Sequence, residues 1–139
     1  MPVRRSYVFD ANAIVSAALI QGSVSRKAFD KAHRKGGILL SRSVISEVED
    51  VLAREKLRKY LTEEDRLLFM VALVREAKLV AVAETIKECR DPKDNKYLDL
   101  AVSGGATCIV SGDKDLLDLS PFRGISIVTP RRFLEDDSL

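Results

Sequence analysis

Short β-branched apolar runs alternate along the chain with longer stretches whose apolar residues recur every three or four positions. Runs of the first kind read as buried strands, and stretches of the second as amphipathic helices. Tyr7-Val8-Phe9 predicts a strand ending at Asp10, and residues 11–20 and 24–35 predict two helices separated near Gln21-Gly22-Ser23. Gly36-Gly37 is expected to stop the second helix through the left-handed conformation found just past helix ends. Ile38-Leu39-Leu40 predicts a second strand, and Ser43 the N-cap of a helix reaching about Ala53. A short helical piece at 57–61 precedes a helix from Thr62 to about Ala77, with Glu63, Glu64 and Asp65 in the first turn, where the helix dipole favours acids. Residues 79–82, 107–110 and 125–128 predict three further strands. Between them, 94–103 reads as a helix closed by Gly104-Gly105 and 115–119 as a helical turn, and Pro130 opens a last short helix.

Apolar strands alternating with helices predict an α/β fold, a mainly parallel five-stranded sheet covered on both faces. Its crossovers should be right-handed. Ligands in such open sheets bind at the carboxyl ends of the strands, so the residues that end each strand carry positional meaning. No repeat, low-complexity tract or linker interrupts the pattern, and residues 1–139 are expected to form a single domain.

The 139 residues and 46% hydrophobic content support one core, and with 6% aromatics and no Trp that core must be mostly aliphatic. The 23 Lys+Arg against 21 Asp+Glu leave a net charge of +2, which argues against a uniformly basic nucleic-acid coat protein and against an acidic disordered tail. Cys89 and Cys108 lack a CxxC or a nearby histidine, so neither a disulfide scaffold nor a four-ligand zinc site is available. Buried free thiols in a cytoplasmic protein are expected, although one bridge would be possible. No apolar run is long enough to span a bilayer, and the basic start Met1-Pro2-Val3-Arg4-Arg5 is not followed by a signal-peptide core. The only histidine, His33, lies in a charged stretch and is expected to be solvated, which disfavours Ser-His-Asp or Cys-His catalysis.

Acids stand at the strand ends. Asp10, followed by Asn12, ends the first strand, and Ser111-Gly112-Asp113 follows the fourth. On the helix from Asp94, residues Leu98, Ala101, Val102 and Gly105 cluster about the direction of Asp94, while Asp99 points about 140° away, toward solvent. Glu47 and Glu49 flank the buried face of their helix at similar angles. Glu49 also fits a capping box with Ser46, and Glu47 is preferred because it lies nearer the strand end. Each acid alone has an ordinary reading, as a turn residue or a helix-terminal acid. Four together would repel one another and raise their pKa values unless a cation compensates. Oxygen ligands without His or Cys suit Mg²⁺ or Mn²⁺, and such ions support phosphodiester hydrolysis.

These residues resemble the PIN-domain ribonucleases, which include the VapC-like toxins of bacterial toxin–antitoxin pairs. The resemblance lies in Val8-Phe9-Asp10-Ala11-Asn12 with Ser16, in Ser43-x-x-x-Glu47-Val48, in Asp91-Pro92-Lys93-Asp94-Asn95-Lys96-Tyr97-Leu98, and in Val110-Ser111-Gly112-Asp113-Lys114-Asp115-Leu116-Leu117. The segment Ile127-Val128-Thr129-Pro130 with Phe133-Leu134 adds to it. It implies a three-layer α/β/α PIN-like fold and metal-dependent RNA cleavage by Asp10, Glu47, Asp94 and Asp113, supported by Asn12 and Ser111. It also implies a homodimer and, for a toxin, a small antitoxin partner. Asp91 and Asp115 are expected to be surface and helix-cap acids. Ala11 stands where the family often has threonine, which removes a hydroxyl but no expected ligand.

The basic runs at 24–35 (+4) and 54–60 (+3) are candidates for phosphate contacts, although each also reads as a solvated helix face. The competing reading is a catalytically silent PIN fold that binds RNA or protein. A haloacid-dehalogenase-type phosphatase would require a second Asp at Asn12. A receiver domain would require a phospho-accepting Asp where Val82-Ala83-Glu84 stands, and no glycine-rich phosphate loop occurs.

Overall fold

A computed structural model describes residues 5–139, so the basic start, apart from Arg5, lies outside the described residues. The strands are β1 (Arg5–Phe9), β2 (Gly36–Leu40), β3 (Lys78–Leu79), β4 (Cys108–Val110) and β5 (Ser126–Val128). The helices are α1 (Ala11–Leu19), α2 (Val24–Lys35), α3 (Arg42–Leu52), α4 (Glu63–Glu76), α5 (Asn95–Gly104), α6 (Lys114–Leu117) and α7 (Pro130–Glu135). The sheet runs β3-β2-β1-β4-β5, and all its pairings are parallel, giving a three-layer α/β/α fold.

Successive strand residues point to opposite faces. On one face the rings of Tyr7 and Phe9 meet Phe133 of α7 and Phe29 of α2 edge-on, at 5.1 and 5.4 Å between centroids. On the other, Leu39 lies so close under α5 that a Cβ on Gly104 would sit 2.6 Å from its Cδ1. Cys89 and Cys108 are both buried and unpaired.

Helix starts follow side-chain caps. Thr62 and Asp65 form a reciprocal capping box at the head of α4. α3 begins earlier than its sequence predicts. Ser41, not Ser43, is the N-cap, its hydroxyl accepting from the Val44 N–H at 3.2 Å. Ser46 therefore lies inside α3, and a Ser46–Glu49 capping box has no helix start to serve.

The glycines that end α2 and α5 work differently. Gly105 has φ +65, the left-handed conformation expected past a helix end. Gly36 is extended, at φ −177, and already belongs to β2. Its lack of a side chain is required by β1, because a Cβ there would lie 1.8 Å from the Arg5 carbonyl oxygen.

The third strand is shorter than its apolar run predicts. β3 ends at Leu79, and one further bond, from Val80 N–H to the Leu40 carbonyl, extends the pairing. Residues 80–91 then cross α5 as an irregular strap. The backbone N–H groups of Ala83, Ile86 and Cys89 donate to side chains of Ser103, Asp99 and Asn95 at 3.0, 2.6 and 2.9 Å. These acceptors are spaced four apart and form one stripe of α5. Asp99 thus holds the strap instead of facing open solvent.

The basic run of α2 is largely committed within the fold. Buried Lys31 donates to the carbonyls of Phe133 and Asp136 and lies over the Phe133 ring. Lys35 donates to the carbonyls of Asp137 and Leu139, and Arg26 pairs with Asp30. These lysines satisfy carbonyls left free past the end of α7. His33 is half-buried and stacks edge-on against Phe29, so it is a packing residue and not a solvated one. Of the five cations in this run, Lys27 and Arg34 are left exposed without an ion pair among the described residues.

Replacing Gly36 with Ala is expected to destabilise the protein by about 3 kcal/mol in urea unfolding, because the new methyl meets backbone and not a movable side chain. Gly22→Ala, at a left-handed but open site, should cost only about 1 kcal/mol by the same measurement.

Candidate active site

Parallel pairing of β1 with β4 brings the ends of both strands together, with Phe9 opposite Val110 and the Asp10 N–H donating to the Val110 carbonyl at 3.1 Å. Asp10 lies just past β1 and caps α1. One carboxylate oxygen accepts from the Ala13 N–H at 2.7 Å, and the other accepts from the Ser111 hydroxyl at 2.5 Å. The Ser111 oxygen in turn accepts from the Asp113 N–H at 3.0 Å, and Asp113 caps the short helix α6. A single hydroxyl thus links the first and last acids.

Asp94 reaches the same place from the turn before α5. Its carboxyl is pushed up to about 7, by burial first and then by the Asp113 carboxylate, close enough for a carboxyl–carboxylate hydrogen bond, with Asp91 and Asp10 adding repulsion. The buried Asp10 carboxyl is also raised, chiefly by desolvation, against the lowering effect of its Ser111 and Ala13 hydrogen bonds. One Asp94 oxygen, Oδ2, is buried without a hydrogen-bond partner. Beside the trio lies a cleft of about 400 Å³, lined by Asp10, Asn12, Ser16, Ser25 and Asp113 among others.

Glu47 is placed apart from these three. On α3 it turns toward α5, whereas Glu49 lines a separate groove against α4, and the ambiguity left by periodicity is resolved in that way. The Glu47 carboxylate accepts from Lys96 at 3.0 Å. The pair lines the largest cavity, about 1030 Å³, between the start of α3 and residues 79–82. Asp91 caps the turn before α5, its side chain accepting from the Lys93 N–H, and Asp115 pairs with Arg90 at 3.6 Å.

Tyr97 is the site residue that sequence reasoning missed. Its hydroxyl accepts from the Ala11 N–H at 3.0 Å, and burial raises its pKa, aided by the nearby charges of Asp10, Glu47 and Asp94. The signal was available in the helical spacing, since Tyr97 follows Asp94 by three and lies on its side of α5.

The donor set fits a hard divalent cation: oxygens only, one of them buried and unpartnered, on acids whose repulsion a cation would relieve. Among the described residues, no three His, Cys, Asp or Glu side chains already close into a coordination shell. An ion such as Mg²⁺, which binds through one or two carboxylates and keeps several waters, needs no such shell.

The PIN-domain family model matches residues 6–115, which include every acid discussed above. The chain belongs to the PIN-domain family, a family of nucleases. An uncharacterized protein of Methanocaldococcus jannaschii, MJ1680, is 27% identical to this PIN domain over 144 residues, covering 96% of this chain and 92% of its own. Two solved structures share the fold. PAE2754 from Pyrobaculum aerophilum has a TM-score of 0.62 at 18% identity, over 95% of this chain and 89% of that one. VapBC2 from Rickettsia felis, solved bound to a DNA fragment from its promoter, has a TM-score of 0.62 at 12% identity, over 88% of this chain and 96% of that one. Among the described residues, no helix of this PIN domain is long and apolar enough to cross a membrane.

The raised pKa of Asp94 has a consequence for the metal-free protein. The unfolded chain loses this proton near 3.8 while the folded chain keeps it to about 7, so stability falls as pH rises between those values. Thermal unfolding in chelator should show wild type losing on the order of 1 kcal/mol over that window, a figure discounted for partial exposure, with Asp94→Asn flattening the loss. Tyr97→Phe leaves the Ala11 N–H without its acceptor and should cost about 2 kcal/mol in urea unfolding, with the fold retained by circular dichroism.

Proposed function

We propose that this PIN domain is a metal-dependent endoribonuclease whose catalytic acids are Asp10, Asp94 and Asp113, with Glu47 in a peripheral place. The observation that carries this reading is the convergence of three carboxylates from three separate segments around a buried, unpartnered Asp94 oxygen. Mg²⁺ or Mn²⁺ held by these acids would supply charge stabilisation for the phosphoryl group and an acidified water for attack.

The chain's own residues do the rest. Ser111 and the Ala13 N–H orient the Asp10 carboxylate. Asp94 and Asp113 hold a proton near neutrality until a cation displaces it. Tyr97 fixes the first turn of α1 against α5 and so keeps Asp10 in line with Asp94. Asn12 and Ser16 line the cleft where a ribose or phosphate would rest. Lys96 neutralises Glu47, so Glu47 joins the cation only if that ion pair opens.

RNA as substrate, a small antitoxin-type partner and a homodimeric state belong to the same proposal. They are supported by family membership, while the likeness to VapBC2 supports the fold alone. The Glu47–Lys96 pair favours a second reading, a PIN module that binds RNA or protein without cutting it.

Incubating labelled RNA with the protein and Mg²⁺ or Mn²⁺ separates the two. Wild type should cleave, chelator should stop it, and Asp10→Asn and Asp94→Asn should each lower the rate at least about 100-fold. Cleavage that survives both substitutions refutes the site. RNA binding with no cleavage under any divalent ion, together with no calorimetric cation binding that Asp94→Asn removes, supports the silent module.

A further inference from the structure

Helix α4 is apolar on two sides, which a helix lying on a single core does not require. Its inner side carries Phe69, Met70, Leu73 and Val74, all packed on the core. Its outer side carries Leu67, Leu68 and Val71, which are 64%, 61% and 52% exposed. At 100° per residue, Glu64, Leu67, Leu68, Val71 and Arg75 share a sector of about 100°. The stripe thus begins with an acid and ends with a base. Among the described residues, neither Glu64 nor Arg75 has an ion-pair partner in its own chain.

We propose that this outer face of α4 is the interface with a second copy of the chain, packed antiparallel about a twofold axis. A twofold contact places the same patch on both subunits, so the patch must complement itself. This one does. With the axis crossing α4 at the level of Phe69 and Met70, Leu68 of each copy faces Val71 of the other and Leu67 faces Ala72. Glu64 then faces Arg75, once at each end of the contact. The like-charged pair that such pairing also aligns, Glu63 with Glu76, lies off the shared sector on opposite sides. A parallel arrangement would set Glu64 against Glu64 and leave both arginines unpaired. The charges therefore select the antiparallel mode, and the apolar centre supplies the attraction. The inference is independent of any nuclease activity, since no residue of the acidic site takes part.

Sedimentation or light scattering of the purified full chain at micromolar concentration tests it. Wild type should be a dimer, and Leu68→Glu should be a monomer with unchanged circular dichroism. Glu64→Arg and Arg75→Glu should each weaken dimerisation about tenfold, because each substitution acts twice in a twofold contact. Combined, they should restore the dissociation constant to within about threefold of wild type. A monomeric wild type overturns the proposal, including one whose α4 face is covered by a different protein. So does a dimer insensitive to Leu68→Glu, or a combined variant weaker than both single ones.

Discussion

The parallel pairing of β1 with β4 is the contact on which the rest of the site depends. It sets Phe9 beside Val110, so the next residue of each strand, Asp10 and Ser111, must leave the sheet at the same edge. Both are buried, and a buried carboxylate is costly unless its oxygens are bonded. The Ser111 hydroxyl and the Ala13 N–H satisfy the two oxygens of Asp10, and in doing so start α1 and tie Asp113 into place. The fold thus accumulates acids at one edge with two of them fully hydrogen-bonded and the third, Asp94, left with an open oxygen. That asymmetry makes the edge chemically different from a set of helix caps, because a satisfied cap has no use for a cation.

Helix α5 carries two stripes with separate tasks. Asp94, just before it, and Tyr97 and Leu98 within it face β1 and the acidic edge. Asn95, Asp99 and Ser103 on another side accept the backbone N–H groups of the strap at 83–89. The strap has almost no regular pairing of its own, so these side chains replace the ladder that a longer β3 would have provided. Outside bonds fasten it further, with Arg123 on Glu84 and Glu88, and Arg90 on Asp115 and Asp118. Its end delivers Asp91 and the turn that presents Asp94. The position of the third acid is therefore set partly by residues that never touch it.

Most of the fold was legible because its strands are short, apolar and β-branched, a signal that survives without tertiary knowledge. The acids at 10, 94 and 113 were legible for a related reason: in a parallel sheet, strand ends share an edge. What the periodicity did not reveal was decided by contacts distant in sequence. Gly36 looked like a helix stop, but the reason for glycine is the Arg5 carbonyl of the neighbouring strand. Residues 79–82 looked like a full strand because Leu79 and Val82 are apolar, but both are exposed at the sheet edge. Asp99 looked solvated because it lies opposite the buried stripe, yet the strap covers that side. Lys31 looked like a surface cation because lysine usually is one, but its length lets it reach the carbonyls past α7.

The small net charge conceals how few cations are free to meet an anion. Lys31 and Lys35 serve the C-terminal turn, Lys96 serves Glu47, and Arg123 serves the strap. Near the acidic edge, Lys93 is exposed, Lys114 stands 83% exposed beside Asp118, and Arg90 stands 74% exposed between two acids at 3.6 and 3.9 Å. Ion pairs this long and this solvated are weak, so a phosphate can exchange places with the carboxylates at little cost. A polyanion approaching the cleft thus meets loosely held cations around a tightly organised group of acids. Attraction at the rim and repulsion at the centre suit a substrate that must bind by its flanking phosphates while one phosphodiester is presented to the acids, and they explain why an RNA substrate requires no large positive net charge.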